Sequence, residues 1–237
     1  ATVRAEAAVA RVRIEGEVPG PALPILRAAA QNRAFLGRWR VIEALGRAGA
    51  SAIPVLVAAL GEEEFARLPA AEALGRIGPD AKEAVPALVR ALGSPQWPIR
   101  ARAALALWKV DRQSERVLPI LIDALRAPAL APRRGRASAP LLPGQHTQVR
   151  SFKTDSNRSV YLSTTYPAGV SQFVPVVDLR ALRREMVEAL GEMGPQAEAA
   201  VPVLAKIAAA DDDPARSQAA EARKRIDPPA EDEPGAR

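Results

Sequence analysis

Three observations predict an all-α solenoid of stacked helical pairs: a helix-turn-helix unit between Pro69 and Leu92, its return at a period near 30 residues, and an apolar inventory made mostly of small aliphatic residues. Within the unit, Leu74 and Ile77 recur with Ala70, Ala71 and Ala73 at three- and four-residue steps. That spacing gives a short helix with one small-residue face that a neighbour can approach closely. Gly78-Pro79 ends it. Asp80, with Glu83 three residues on, predicts a capped start for a second helix whose apolar stripe is Val85, Leu88, Val89 and Leu92. Pro86 falls early in that helix, where the loss of one backbone bond would tighten or bend the first turn. Apolar residues make up 48% of the chain but aromatics only 4%, so the core must be built from Ala, Leu and Val.

The second-helix signature, an apolar residue, Pro, any residue and Leu, begins at Leu23, Ile53, Val85, Leu118 and Val201, and its prolines step by 30, 32, 33 and 83 residues. First helices end in Ala44-Leu45-Gly46, Ala73-Leu74-Gly75, Ala106-Leu107-Trp108 and Ala189-Leu190-Gly191. Seven residues before each of those leucines stands an arginine: Arg38, Arg67, Arg100 and Arg183. Seven residues is two helical turns, so each arginine shares its leucine's face. Aligning the terminal copies at Arg11 and Arg223 extends the ladder to Arg4 and Arg216. Each stem can lie on the apolar seam and aim its guanidinium at the C-terminal carbonyls of the preceding second helix. Structural glue between repeats is the expected role, with anion binding as the alternative.

These motifs resemble the HEAT-repeat family, in the bacterial form known as phycobilisome-lyase HEAT-like repeats, whose units end A-L-G-x-[IL]-G and alternate with V-P-x-L helices. The resemblance covers residues 32–127 and 178–226 well and 1–31 weakly. It implies a right-handed superhelix of about five to six repeats that binds other proteins, and in some relatives nucleic acid or tetrapyrrole-carrying proteins.

In chain order, residues 1–127 read as four repeats. The first pairs Ala5–Ile14 with Leu23–Ala30, and the second spans about 32–61 with Trp39 as a packing residue. The third, about 62–93, opens on Glu62, Glu63 and Glu64, a solvated loop or favourable charge at a helix start. The fourth, about 94–127, starts with Ser94-Pro95 as a cap and Pro98 in the first turn. Trp97 packs loop to helix, and Trp108 stands where the other copies have Gly, pushing the next layer away or filling a gap. A fifth repeat runs from Asp178 to Ala210. Asp211, Asp212, Asp213 and Pro214 then cap a terminal half-repeat ending near Ile226. Residues 227–237 are acidic and proline-rich, a composition that predicts a disordered tail.

Between 128 and 177 the period fails. This insertion holds Arg133, Arg134, Arg136, Arg150, Lys153 and Arg158 against Asp155 alone, five of the chain's six net positive charges. It also carries Phe152, Tyr161, Tyr166 and Phe173, four of the six Phe and Tyr residues. Val149–Lys153 and Ser159–Thr165 are β-prone runs around turn chemistry at Asp155-Ser156-Asn157-Arg158, so a basic loop leading into a β-hairpin is expected. Val174-Pro175-Val176 reads as an extended segment.

For chemistry the inventory is thin. There is no cysteine, and His146 is the single histidine, so nucleophile-plus-histidine catalysis would rest on one loop residue with no visible partner. No spacing matches a zinc site or a phosphate loop, and neither cofactor nor metal is expected. No apolar run approaches 18 residues. The chain begins at Ala1 without methionine, which leaves room for a removed leader or further domains; cytoplasm is the default compartment. The expected function is a non-catalytic protein-binding scaffold. Its second helices present Ala28, Ala58, Arg90, Asp123 and Lys206, each four residues after a signature proline, on a concave surface. The alternative is nucleic-acid binding through the insertion, with Arg133, Arg134, Arg136, Arg150 and Lys153 on phosphates and Phe152, Tyr161 or Tyr166 stacking on bases.

Overall fold

The computed structural model describes residues 2–32, 35, 37–62, 64–126, 146–154, 157–165, 171–176 and 178–228. Its helices fall in pairs: α1 (Thr2–Glu15) with α2 (Ala22–Gln31), α3 (Arg38–Leu45) with α4 (Ile53–Leu60), and α5 (Glu64–Ile77) with α6 (Val85–Ala91). They continue as α7 (Trp97–Asp111) with α8 (Ser114–Arg126), α9 (Leu179–Met193) with α10 (Val201–Ala209), and a single α11 (Arg216–Ile226). First helices pack on first helices, α3 on α5, α5 on α7, α7 on α9 and α9 on α11, so the layers form an all-α solenoid. The α7–α9 contact joins the layers on either side of the insertion.

Glycine and alanine set the layer spacing. A Cβ built on Gly46 would lie 2.8 Å from the Ala73 Cβ, one on Gly75 3.1 Å from the Ala106 Cα, and one on Gly191 3.1 Å from the Ala222 Cβ. Each A-L-G glycine therefore seats directly on the alanine of the next copy, which is why this core needs almost no aromatic residues. Gly46→Val is expected to cost about 1–3 kcal/mol by overpacking, read as a lowered denaturant midpoint. Gly20→Ala, where nothing lies within 4 Å of the new Cβ, serves as the control.

Second helices start differently from the expected capping box. Asp80 lies inside a 3-10 stretch, Gly78–Ala84, that Gly78 enters at φ +73°, and α6 begins after Ala84 with no side-chain cap. A 3-10 stretch already supplies i→i+3 bonds where a cap would act. Pro86 sits in the first turn of α6, where its missing N–H is one the helix never uses, so it costs no bond. Pro54 and Pro202 repeat that placement in α4 and α10. Ser94 likewise is not the cap of α7, whose N-cap is Gln96; the Ser94 Oγ accepts from the Gln96 backbone N–H at 3.4 Å. Asp178 does cap α9, accepting from the N–H groups of Arg180 and Ala181, both at 3.0 Å.

The first copy is also in a different register. Gly16, at φ +81°, follows Val12 by four residues, as Gly49 follows Leu45 and Gly78 follows Leu74. Val12 is thus the leucine equivalent and is buried, and the residue seven before it is the buried Ala5. Arg4 is exposed and is not a rung of the ladder.

Inside the insertion the backbone includes β1 (His146–Thr154), β2 (Asn157–Thr165) and β3 (Ser171–Val176), ordered β1-β2-β3 and antiparallel throughout. Arg150 stands opposite Tyr161, and Tyr161 opposite Pro175 on the edge strand β3. An edge is where a proline in a sheet is tolerated. Arg133, Arg134, Arg136 and Tyr166 lie outside the described residues, as do positions 229–237 of the tail.

Candidate functional site

The second helices carry the candidate face, and the arginine ladder ties those helices to the stack. Arg38 is only 2% exposed. Its Nε donates to the carbonyl of Ala30 in the last turn of α2, and its Nη2 pairs with Glu62. Glu62, expected to be a solvated loop residue, is instead part of the ladder. Across the insertion, Arg183 donates from Nη1 to the Leu125 carbonyl of α8 at 3.0 Å and from Nε to Asp213 at 2.9 Å. Arg216 donates to the Ala208 carbonyl of α10 at 3.3 Å and to Asp211 at 2.7 Å. These three reach helix-end carbonyls, the partners that the helix dipole favours for a cation.

The remaining two rungs reach loop carbonyls. Arg67 donates from Nε to Glu62 O at 2.5 Å, and Arg100 from Nη1 to the carbonyls of Ser94 and Pro95, both at 3.0 Å. Both preceding helices end early, at Leu60 and Ala91, so the connecting loop presents its carbonyls first. Arg100→Ala should cost about 1–2 kcal/mol through two lost charge-assisted bonds, measured as a midpoint shift. Arg90→Ala, an exposed arginine of α6, should stay within about 0.5 kcal/mol.

A second arginine row was missed by the sequence reading. Arg47 donates to the Val12 carbonyl at 3.1 Å and Arg76 to the Glu43 carbonyl at 3.3 Å. Each directly follows an A-L-G triplet, so the repeat A-L-G-R was the available signal. Crowding by surrounding protein strips water from the Glu43 carboxyl, although the residue keeps exposed surface, and the Glu72 charge adds to this. Together they hold its pKa above the ordinary carboxylate value against the opposing Arg76.

Where the insertion leaves the stack, the Gly-on-Ala seam gives way to ionic contacts. Trp108, buried, donates from Nε1 to Glu192 at 3.2 Å, and the Arg112 guanidinium lies 4.7 Å from its ring centroid. Arg112 is the C-cap of α7, with a left-handed backbone at φ 51°. Arg102, also buried, pairs with Glu185 at 2.7 Å. Trp108 therefore fills the joint and anchors it. Trp39 is buried in α3 under Arg40, and Trp97 packs against the core.

On the second helices, Ala28, Ala58, Arg90, Asp123 and Lys206 are all exposed, as are the signature prolines Pro24, Pro54, Pro86, Pro119 and Pro202. Asp123 lies 3.7 Å from Arg100, which joins the face to the ladder. Of the insertion residues, Arg150, Phe152 and Lys153 fall on β1 and Tyr161 on β2.

The model for HEAT repeats matches residues 62–139, and that for the PBS lyase HEAT-like repeat matches residues 37–62. Residues 37–139 are matched as HEAT repeats, and the helical pairs outside them continue the same stack. A crystal structure of an engineered protein shares the fold with a TM-score of 0.54 at 18% identity, covering 95% of this chain and 87% of that one. A second engineered protein aligns at TM-score 0.48 and 18% identity over 94% of this chain and 54% of that one. No curated protein matches. Among the described residues, no group of three His, Cys, Asp or Glu side chains could hold a metal ion. No described helix of the HEAT array is long and apolar enough to cross a membrane.

Proposed function

We propose that this HEAT-repeat chain is a non-catalytic protein-binding scaffold whose partner contacts lie on the second-helix face and the insertion. One observation carries the reading: the five positions Ala28, Ala58, Arg90, Asp123 and Lys206 recur once per repeat and are all exposed, while the first helices spend their apolar surface on each other. A face that is constant in backbone and variable in side chain suits recognition of another protein. Its mix of alanine, one acid and two bases does not suit a continuous phosphate track. Arg133, Arg134, Arg136, Arg150, Phe152, Lys153, Tyr161 and Tyr166 would add contacts from the insertion.

The test is an unbiased pull-down with the full chain, with an A58R/D123K/K206E variant, and with residues 128–177 replaced by a short linker. Proteins captured by the full chain and lost with the face variant are the expected result. Capture unaffected by either change would overturn the reading. So would sub-micromolar binding of random oligonucleotides at about 150 mM salt that disappears with the insertion, the steep electrostatic signature of nucleic-acid binding.

A further inference from the structure

Three cavities lie along the second-helix side, and each is lined by an arginine from the start of a first helix. Between α2 and α4, a slot of about 140 Å³ is bounded by Ala30, Gln31, Pro54 and Ala58, with Arg38 and Glu62 among its walls. Between α4 and α6, one of about 270 Å³ is bounded by Val57, Leu60 and Ala87, with Arg67 and Arg90. At the first copy, an apolar one of about 370 Å³ is lined by Pro24, Ile25, Ala28 and Phe35, with Arg4.

The donors in these slots are not fully used. Arg38 Nη1 is buried with no hydrogen-bond partner, a desolvated donor that is costly to leave unmade. The Arg38 charge is already matched by Glu62 and Nη1 is closed off by surrounding protein, so this slot offers an incoming chain no charged group. Arg67 uses Nε on the Glu62 carbonyl, and among the described residues its terminal nitrogens have no partner. Arg90 lines the same slot, exposed, and among the described residues no carboxylate is in that slot's walls. Two cations with free N–H groups fit a carboxylate.

Resting on the scaffold reading above, we propose that these slots bind an extended acidic peptide of a partner protein. Packed helices lie about 8–10 Å apart and an extended chain rises about 3.3 Å per residue, so one slot corresponds to three residues. The peptide places an apolar side chain against Ile25 and Phe35 and crosses the slot beside Pro54 and Ala58 three residues along. Three residues further, an Asp or Glu meets Arg67 and Arg90.

Selection of randomised 12-residue peptides displayed on phage, against the full chain, tests this. Enriched peptides should carry an acid six residues from a Leu, Ile, Val or Phe. A fluorescein-labelled peptide with Leu, Asn and Glu at its first, fourth and seventh places should bind at least ten-fold more weakly to R90E and to R67Q. R90E makes no structural bond, so its thermal midpoint should stay unchanged, which keeps the test clear of any folding defect in R67Q. Absence of acidic enrichment, or equal binding by wild type and R90E, would overturn the assignment. If the A58R/D123K/K206E variant loses its partners while peptide selection shows no acid preference, the scaffold reading stands and the peptide assignment falls.

Discussion

Arg38→Ala is expected to lower stability by about 3–5 kcal/mol, the range for removing one member of a buried ion pair. The change removes the Arg38 partner of Glu62, whose side chain is 18% exposed, and leaves the Ala30 carbonyl without its donor. Arg38→Met separates packing from pairing. It keeps most of the stem on the seam, so a comparable loss would place the effect in the guanidinium, and adding Glu62→Gln should then recover part of it. Chemical denaturation followed by far-ultraviolet circular dichroism measures all three. A loss under about 1 kcal/mol for Arg38→Ala would mean that the rung contributes no more than an exposed arginine.

Trp108→Ala should cost about 3–5 kcal/mol, as expected for emptying the space of a buried tryptophan. Its second effect is regional. Trp108 holds Glu192 of α9 and carries Arg112 on its ring, so faster amide exchange should concentrate in α9, α10 and α11 while α3–α6 keep their protection. Trp108→Phe keeps most of the volume but not the Nε1 donor and should fall between wild type and alanine. Uniformly faster exchange along the whole array would show that the joint is not the local anchor.

What the sequence made legible was whatever repeats locally. Leucine and arginine seven residues apart share a face by helix geometry alone, so four rungs, Arg38 to Arg183, could be named before any contact was seen, and alignment of the last copy added Arg216. The acceptors could not all be named, because helix ends decide them. Leu60 and Ala91 end α4 and α6 early and hand Arg67 and Arg100 to loop carbonyls. Register in the first copy was misread for a related reason. The alignment put Arg11 at the leucine position where Val12 stands, and the left-handed turn at Gly16 that fixes the register is a backbone property. The pairing of Arg102 with Glu185, and of Trp108 with Glu192, spans more than 80 residues and an insertion, beyond the reach of any periodicity. On the candidate face, exposure of the five recurring positions followed directly from the period. The slots between them did not, since they depend on how two successive layers meet.

The central claim is that one continuous helical solenoid runs past the insertion and presents a single second-helix face. Arg183 bonding to Leu125, and α7 packing on α9, are the contacts that make it continuous. Replacing residues 128–177 with a short Gly-Ser linker and following thermal unfolding by circular dichroism tests it most directly. The account predicts retained helicity and a single cooperative transition with a midpoint close to that of the full chain. Two separated transitions, or loss of the helical signal of α9–α11, would contradict it.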